Sequence, residues 1–535
     1  MCKYISKYYF HLISSFLFLA VISINSQPIE EWVNRYNSPA NVNDNGKYVA
    51  VDNSGNVYVT GNTGNDITTI KYSSAGAELW TKTYSTSPDN EVIGIVVDGL
   101  GNIIIAGNDF QTNTDMMVFK YDQSGNLLWL QHYSGSAHAA HDIAQTLVCD
   151  ANNNVYISGT SEKDSPGQYE LVTIKYSSSG VLQWVNKTDA TQPFVSDMKL
   201  DLLGNIYICG ALSASNTDAF LAKISASGTL LFMQTYDYTL AAGWDNFQAM
   251  AINEAGTDIY VTGSSWGGTT TGTDFVTIKY KTSGVSQWVQ RYNGLVSGSD
   301  EPYSIVIDKS GNVYSAGVSY GGVTANKDVA IAKYSSSGTP IGYQRYSVGS
   351  NVEEAYNIRI DANQNLYLAG YNNGDVLILK FNSALILQWS KMYNSPANGN
   401  DATSDMILDN SGNLYITGYS MGIGTNYDYL TIKYSQVVGI TQNSNEVPEA
   451  YTLHQNYPNP FNPSTNIKFD IPKDSDVKIA VYDMLGKEVK ILVEEHKQAG
   501  SYELNFDASK LSSGMYFYKL TAGSFTGIKK MILIK

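Results

Sequence analysis

Between Trp32 and Tyr434 the chain writes one strand-turn-strand unit eight times, and few folds can accommodate that. The anchor is Asp-x-x-Gly-Asn-x-Tyr followed by Gly, as in Asp52, Gly55, Asn56, Tyr58 and Gly61. It recurs, with small departures, at Asp98, Asp150, Asp201, Asn253, Asp308, Asp361 and Asp409. Each copy is followed by an acid five residues before Lys and then, in most copies, Tyr: Asp66–Lys71–Tyr72, Asp115–Lys120–Tyr121, Glu170–Lys175–Tyr176, and so on to Asp428–Lys433–Tyr434. Eight residues further on stand Trp80, Trp129, Trp184, Phe232, Trp288, Gly342 and Trp389. A repeat of about 50 residues holding four short strands is the pattern of a β-propeller blade.

Within one unit the strands are A to D, counted outward from the axis. Gly and Asn in the A–B hairpin supply positive φ, and the C–D connection is a short Ser/Gly turn such as Ser177–Gly180. Both turns keep their length, whereas the B–C and D–A connections vary. Alternate turns of a meander lie on opposite faces, so the variable loops share one face, where function on such scaffolds concentrates. Eight A-B-C sets are followed by seven D strands, and the missing one matches Glu31–Tyr36 at the start. The expectation is an all-β, eight-bladed propeller of four-stranded blades over residues 27–436, with the N-terminal strand closing the last blade and satisfying its open edge.

These units resemble the SBBP type of β-propeller repeat over most of residues 31–434. That resemblance implies the fold and leaves the activity open. The Gly-x-x-x-Trp spacing is also similar to the tryptophan-docking repeats of quinoprotein dehydrogenases, although nothing here matches their cofactor-binding residues.

A polar stretch over residues 437–450 reads as a linker, after which Pro becomes dense in Tyr457-Pro458-Asn459-Pro460-Phe461-Asn462-Pro463. Short alternating strands follow at Thr465–Ile471, Val477–Tyr482, Gly500–Phe506, Gly514–Thr521 and Gly527–Ile534, which reads as a small Ig-like β-sandwich over residues 451–535. Asn456–Ser464, Val481–Gly486, Ala499–Tyr502, Ser513–Tyr516 and the terminal Lys529–Lys535 closely resemble the type A C-terminal sorting domain of bacterial type IX secretion. The resemblance implies passage through the periplasm and outer membrane, with the type IX machinery as partner of residues 451–535.

The start of the chain agrees with export. Lys3 and Lys7 precede an apolar run from Leu12 to Ile24, and Ser26 precedes a cut near Gln27, so residues 1–26 read as a secretory signal. No transmembrane segment is expected in the mature chain. Net charge is −15 and no Lys/Arg cluster stands out, which argues against a nucleic-acid partner. Cys149 and Cys209, each within an expected strand, read as buried free thiols.

Candidate site residues come from three places. Eight residues before each turn Asp stand Asp44, Asn90, Asp142, Pro193, Asp245, Asp300, Glu353 and Asp401. Six of these eight are carboxylates at the start of strand A, so they either seat their blades by capping backbone N–H groups or ring the channel mouth as a cation or polar-ligand site. Trp244 and Trp266 fall outside the packing register, in loops of one blade beside Asp245, and suit sugar stacking. His138, His141 and Asp142 form a weak metal candidate. The Asp-x-x-Gly-Asn turns are too short for calcium loops and lack the downstream Glu, so no cofactor is expected, with calcium left open. The expected function is binding of a glycan or a surface protein through the variable face, using Trp244, Trp266, Asp245, Asp300, Asp401 and Asp44. A polysaccharide lyase or hydrolase, or a structural surface-layer component, are the alternatives.

Overall fold

The computed structural model describes residues 27–535 apart from 87–88, 111–112, 136–140, 166, 214–216, 239–242, 270, 296–297, 322–325, 436–440, 445–447 and 509–510. The expected leader and His138 therefore lie outside the described residues. Among the described residues the chain is all-β.

Among the described residues, the strands between Ile29 and Ser435 form eight antiparallel four-strand units. Blade 1 is Asp44–Val51, Val57–Thr63, Asp66–Tyr72 and Glu78–Tyr84. The inner strands of blades 2 to 8 are Asn90–Val97, Asp142–Cys149, Pro193–Leu200, Asp245–Ile252, Gly298–Ile307, Glu353–Ile360 and Asp401–Leu408. Each inner strand touches the next, and the last touches the first, so the units close into a ring. A short parallel pairing of Gly272 with Gly298 and Thr273 with Ser299 joins blades 5 and 6 into one sheet.

Closure follows the expected route. Ile29–Tyr36 pairs antiparallel with Tyr427–Ser435, setting Val33 opposite Ile432 and Tyr36 opposite Tyr429. Blade 8 thus holds both ends of the ring.

The repeated residues explain why these units form. In the A–B hairpin, Asp308 Oδ1 accepts the N–H groups of Ser310 and Asn312 at 2.9 and 2.8 Å. Its Oδ2 accepts Asn312 Nδ2 at 2.8 Å and the Tyr314 hydroxyl at 2.9 Å. These aspartates spend their lone pairs on turn chemistry. The register Trp then reaches into the next blade: Trp80 Nε1 and Lys71 Nζ both donate to Gln123 O, at 3.1 and 2.8 Å. Across the closure, Trp32 Nε1 and Lys433 Nζ both donate to Ser74 O, at 3.3 and 2.9 Å. The glycine of the receiving turn is required twice over. Gly76 sits at φ 85°, and a Cβ there would lie 2.6 Å from the Trp32 indole.

Residues 451–535 form part of a second body with two four-stranded sheets and one core containing Phe461, Ile467, Phe469, Val481, Phe506 and Tyr518. One of its strands, Thr441–Ser444, lies within the expected linker and pairs with Gly500–Asp507. Another, Glu488–Lys497, was not expected, because its charges obscure the alternation.

Deleting residues 29–36 removes the outer strand of blade 8 together with the Trp32 contact. The expected outcome is a lower melting temperature for the whole ring, read by calorimetry, and not a local change confined to blade 8.

Candidate ligand-binding face

Each inner strand carries a β-bulge at the same place, for example between Ala355 and Asn357 and between Thr403 and Asp405. The burial pattern changes phase there in seven of the eight, so two consecutive residues at the bulge stay partly open, as Tyr356 and Asn357 do; in blade 2 Gly94 is buried. The register residue two positions before the bulge, by contrast, is buried in every blade.

That burial decides what the register carboxylates do. Asp44, Asp142, Asp300, Glu353 and Asp401 are 0% exposed and Asp245 is 1% exposed. Each accepts a backbone N–H from the loop leading into its blade. Ser38, Gly135 and Gly294 donate at 2.6 Å to Asp44, Asp142 and Asp300, and Ser395 donates at 2.7 Å to Asp401. Tyr238 donates to Asp245 at 3.2 Å and Val348 to Glu353 at 3.3 Å. The carboxylates therefore cap and seat loops, and they offer no open ring to a ligand at the channel mouth.

In blades 5, 6 and 8 the capping acid belongs to a row that crosses the blade. Asp300 lies opposite Ser319, Ser319 opposite Asp328, and Arg345 from the outer strand donates to both Ser319 and Asp328. Asp245, Ser265, Asp274 and Arg291 repeat the row, as do Asp401, Ser420, Asp428 and Arg35. Burial pushes the Asp300 carboxyl up to about 6, against the opposing effect of its hydrogen bonds.

This face carries two concavities: one of about 360 Å³ between blades 1 and 2, beside Lys47, Asn62, Asn90 and Phe110, and a more enclosed one between blades 7 and 8. The latter is a cleft of about 330 Å³ lined by Glu354, Tyr356, Tyr371, Asn400, Thr403 and Tyr419, among others. Strands position most of these side chains, so the cleft is preformed. Glu354 is already engaged: Lys327 donates to Oε1 at 2.9 Å and the Tyr356 hydroxyl donates to Oε2. Blade 6 repeats the pair, with Tyr303 donating to Glu301 Oε2 at 2.8 Å and its ring 5.8 Å from that of Tyr356. Sequence reading missed this cleft. The signal was the Glu-x-Tyr of Glu301–Tyr303 and Glu354–Tyr356, one residue past the register acid.

The other sequence candidates are dispersed. Trp244 is 41% exposed and its carbonyl accepts the Trp266 N–H at 3.1 Å, while Trp266 is half-buried. The two are tied through backbone, with Asp245 buried beneath. His141 Nδ1 lies 3.3 Å from Thr114 N and 3.1 Å from Thr114 Oγ1, and Asp142 is committed to Gly135, so the two do not converge. Cys149 and Cys209 are free, with Cys209 fully buried and Cys149 partly so.

Comparison with known proteins fits this architecture. Residues 455–535 match the family model of the secretion system C-terminal sorting domain, and residues 287–322 match that of the beta-propeller repeat. The protein is a β-propeller with a type IX sorting tail, which indicates secretion or cell-surface localisation via the periplasm. A curated relative, the regulatory protein FlaEY of Caulobacter vibrioides, is 25% identical over 118 residues, covering 19% of this chain and 12% of that protein's length. Among solved structures, the propeller domain of the Trilobed protease from Pyrococcus furiosus gives a TM-score of 0.40 at 6% identity, covering 66% of this chain and 96% of that one. The periplasmic gluconolactonase PpgL of Pseudomonas aeruginosa gives 0.39 at 15% identity, covering 58% and 87%. At these scores the likeness carries no argument about activity.

Two outcomes are expected. With its pKa raised, Asp300 holds a proton in the folded state between about pH 4 and pH 6, where the unfolded chain has released it. Stability from this group is therefore present at low pH and lost as pH rises through 6. In chelator-treated buffer Asp300→Asn should stabilise at pH 8 by on the order of 2 kcal/mol and have no such effect near pH 4, as read by urea denaturation. Removing residues 451–535 should leave the propeller folded but retained in the periplasm of a host with type IX machinery, as read by cell fractionation.

Proposed function

We propose that the protein is a secreted binding module whose ligand is a carbohydrate held in the cleft between blades 7 and 8. The observation that carries this reading is a preformed cavity in which Tyr356, Tyr371 and Tyr419 stand beside a carboxylate, Glu354, and an amide, Asn400. Tyrosine rings stack on the apolar face of a pyranose, and the polar groups fix its hydroxyls. Trp244, exposed among the variable loops, offers a second stacking surface for a longer chain.

Binding fits the cleft better than turnover does. Glycoside hydrolysis needs two carboxyl groups free to act as acid and as base or nucleophile. Here Glu354 is held by Lys327 and Tyr356, and Glu301 by Tyr303.

The test is a glycan array followed by titration and a polysaccharide turnover assay. Tyr419→Ala and Glu354→Gln should each weaken the selected glycan about tenfold, the loss of about 1.4 kcal/mol. Release of reducing ends or unsaturated products would overturn the reading in favour of an enzyme. Unchanged affinity in both variants, with loss in Trp244→Ala, would move the site to the Trp244 loop.

A further inference from the structure

The second cleft of the variable face, of about 360 Å³, lies between blades 1 and 2 and is lined by Lys47, Asn62, Asn65, Asp89, Glu91 and Phe110, among others. It occupies the same place between its blades as the cleft between blades 7 and 8. One position past the register residue, on the inner strand, stand Glu354, Ala402, Asn45 and Glu91 in blades 7, 8, 1 and 2. Opposite the first three, on the second strand, stand Tyr371, Tyr419 and Asn62. Glu354, Ala402, Tyr371 and Tyr419 line the first cleft, and Glu91 and Asn62 line the second. One rung of the ladder, repeated over four consecutive blades, thus supplies walls to both.

The clefts meet at the ring closure. Gly46 of blade 1 packs so tightly on blade 8 that a Cβ there would lie 2.5 Å from Thr417 Oγ1 and 3.0 Å from Gly418 O. The next residue on one side is Lys47, in the wall of the second cleft, and on the other Tyr419, in the wall of the first. The partition between the clefts is therefore the contact of Asp44–Val51 with Leu414–Met421.

Bonds that span blades 1 and 2 preform the second cleft. Lys47 Nζ donates to Glu91 Oε1 at 3.0 Å. Asn90 N donates to Asn65 O at 2.8 Å, and Asn62 Nδ2 donates to Asn90 O. Phe110, 36% exposed, is pinned through its own N–H to Asp89 O at 3.0 Å. The lining is an aromatic plate beside amides and an ion pair, so N–H donors and carboxylate acceptors stand side by side. Adjacent hydroxyls of a sugar, each donor and acceptor at once, match those groups, and the apolar face of the sugar ring matches Phe110. Glu91 already neutralises Lys47, and Asp89 stands exposed beside them in a chain of net charge −15. The cleft therefore disfavours an anionic sugar.

We propose that the two clefts are subsites of one groove, which crosses the ring closure and binds a neutral polysaccharide chain. The inference rests on the carbohydrate reading of the first cleft and adds the class of carbohydrate, a neutral chain long enough to fill both. Tyr356, Tyr371 and Tyr419 stack sugars at one end, and Phe110 with the Lys47–Glu91 pair holds them at the other. A chain held in one cleft brings its far end to the other at high effective concentration, so affinity rises steeply once the chain spans both.

The experiment titrates the mature full chain, by calorimetry, with ladders of cello-, xylo-, manno- and malto-oligosaccharides from disaccharide to decasaccharide, and with a ladder of oligogalacturonates. Affinity for a neutral ladder should climb by about tenfold or more in one step, at the length that bridges the clefts. Phe110→Ala should remove the step, lowering affinity for the long members about tenfold. Lys47→Gln should do the same and keeps the test decisive if Phe110→Ala does not fold. Tyr419→Ala should weaken short and long members alike. If wild type shows no step while Tyr419→Ala still weakens the short members, the first cleft stands alone: the groove is overturned and the carbohydrate reading survives. If no ladder binds, both fall. A step that survives Phe110→Ala and Lys47→Gln but vanishes in Trp244→Ala puts the second subsite on blade 5 and overturns the groove. Tighter binding of the galacturonate ladder overturns the neutral class.

Discussion

The structure depends on one contact made again and again, an indole laid on a glycine. The Trp of one blade covers the C–D turn of the next: Trp32 on Gly76, Trp80 on Gly125, Trp129 on Gly180, Trp184 on Gly228 and Trp288 on Gly338. The indole N–H and the register Lys reach a carbonyl in the same turn. Two hydrogen bonds and a large apolar face therefore couple neighbouring sheets at little cost in side-chain entropy. A methyl group on the glycine would separate the surfaces, and its positive φ would strain any other residue. The Trp-Gly spacing is thus a geometric requirement of the ring. Where the ring relaxes it, other chemistry takes over, as at Gly342, where a Cβ would lie 3.8 Å from Leu385 of the next C–D turn.

Electrostatics does the corresponding work on the opposite face. Each loop leading into a blade must bring its N–H groups across a seam with little water, and a buried carboxylate accepts them. Six buried acids around one axis would be untenable without compensation. The rows that run from the inner Asp through Ser to an outer Arg provide it in blades 5, 6 and 8. The same burial that makes these acids good anchors makes them poor ligands for anything in solvent, and this separates the scaffold from the cleft. Glu354 and Tyr356, one and three residues further along, are partly open and line the cleft, and the bulge after Ala355 leaves Tyr356 and Asn357 both partly exposed.

Much of this was legible in the sequence because a repeat samples the same physical constraint eight times. Asp308, Gly311, Asn312 and Tyr314 read as a hairpin because each residue type answers one need of the turn, and the structure shows each need met. The closing strand was legible for the same reason: Glu31–Tyr36 carries the outer-strand pattern out of place. The cleft was not legible. It is built from positions that differ between blades, such as Tyr371 and Tyr419, and periodicity is blind to what does not repeat. The register acids stood out by recurring, yet recurrence marked a shared structural duty. Glu488–Lys497, an edge strand, was missed because its frequent charged residues break the apolar alternation in the sequence.

The topology also constrains how the molecule forms. Blades 1 to 7 each draw their four strands from contiguous chain, so each can pair locally as it emerges. Blade 8 cannot, because its outer strand, Ile29–Tyr36, waits for Tyr427–Ser435, the last strand of the ring. Closing so long a loop costs little more free energy than closing a short one, since the entropy grows only with the logarithm of length. The delay is kinetic: until the last strand arrives, Trp32 lacks the sheet that holds it over Gly76, and one edge of the final blade stays open. A chain exported before closure meets this step in the periplasm, with its sorting tail following directly behind. Tail and ring have separate cores, so the tail's fold does not depend on the closing strand. Secretion and ring closure can then be altered independently, and a defect in the seam between blades 8 and 1 should leave the sorting signal itself intact.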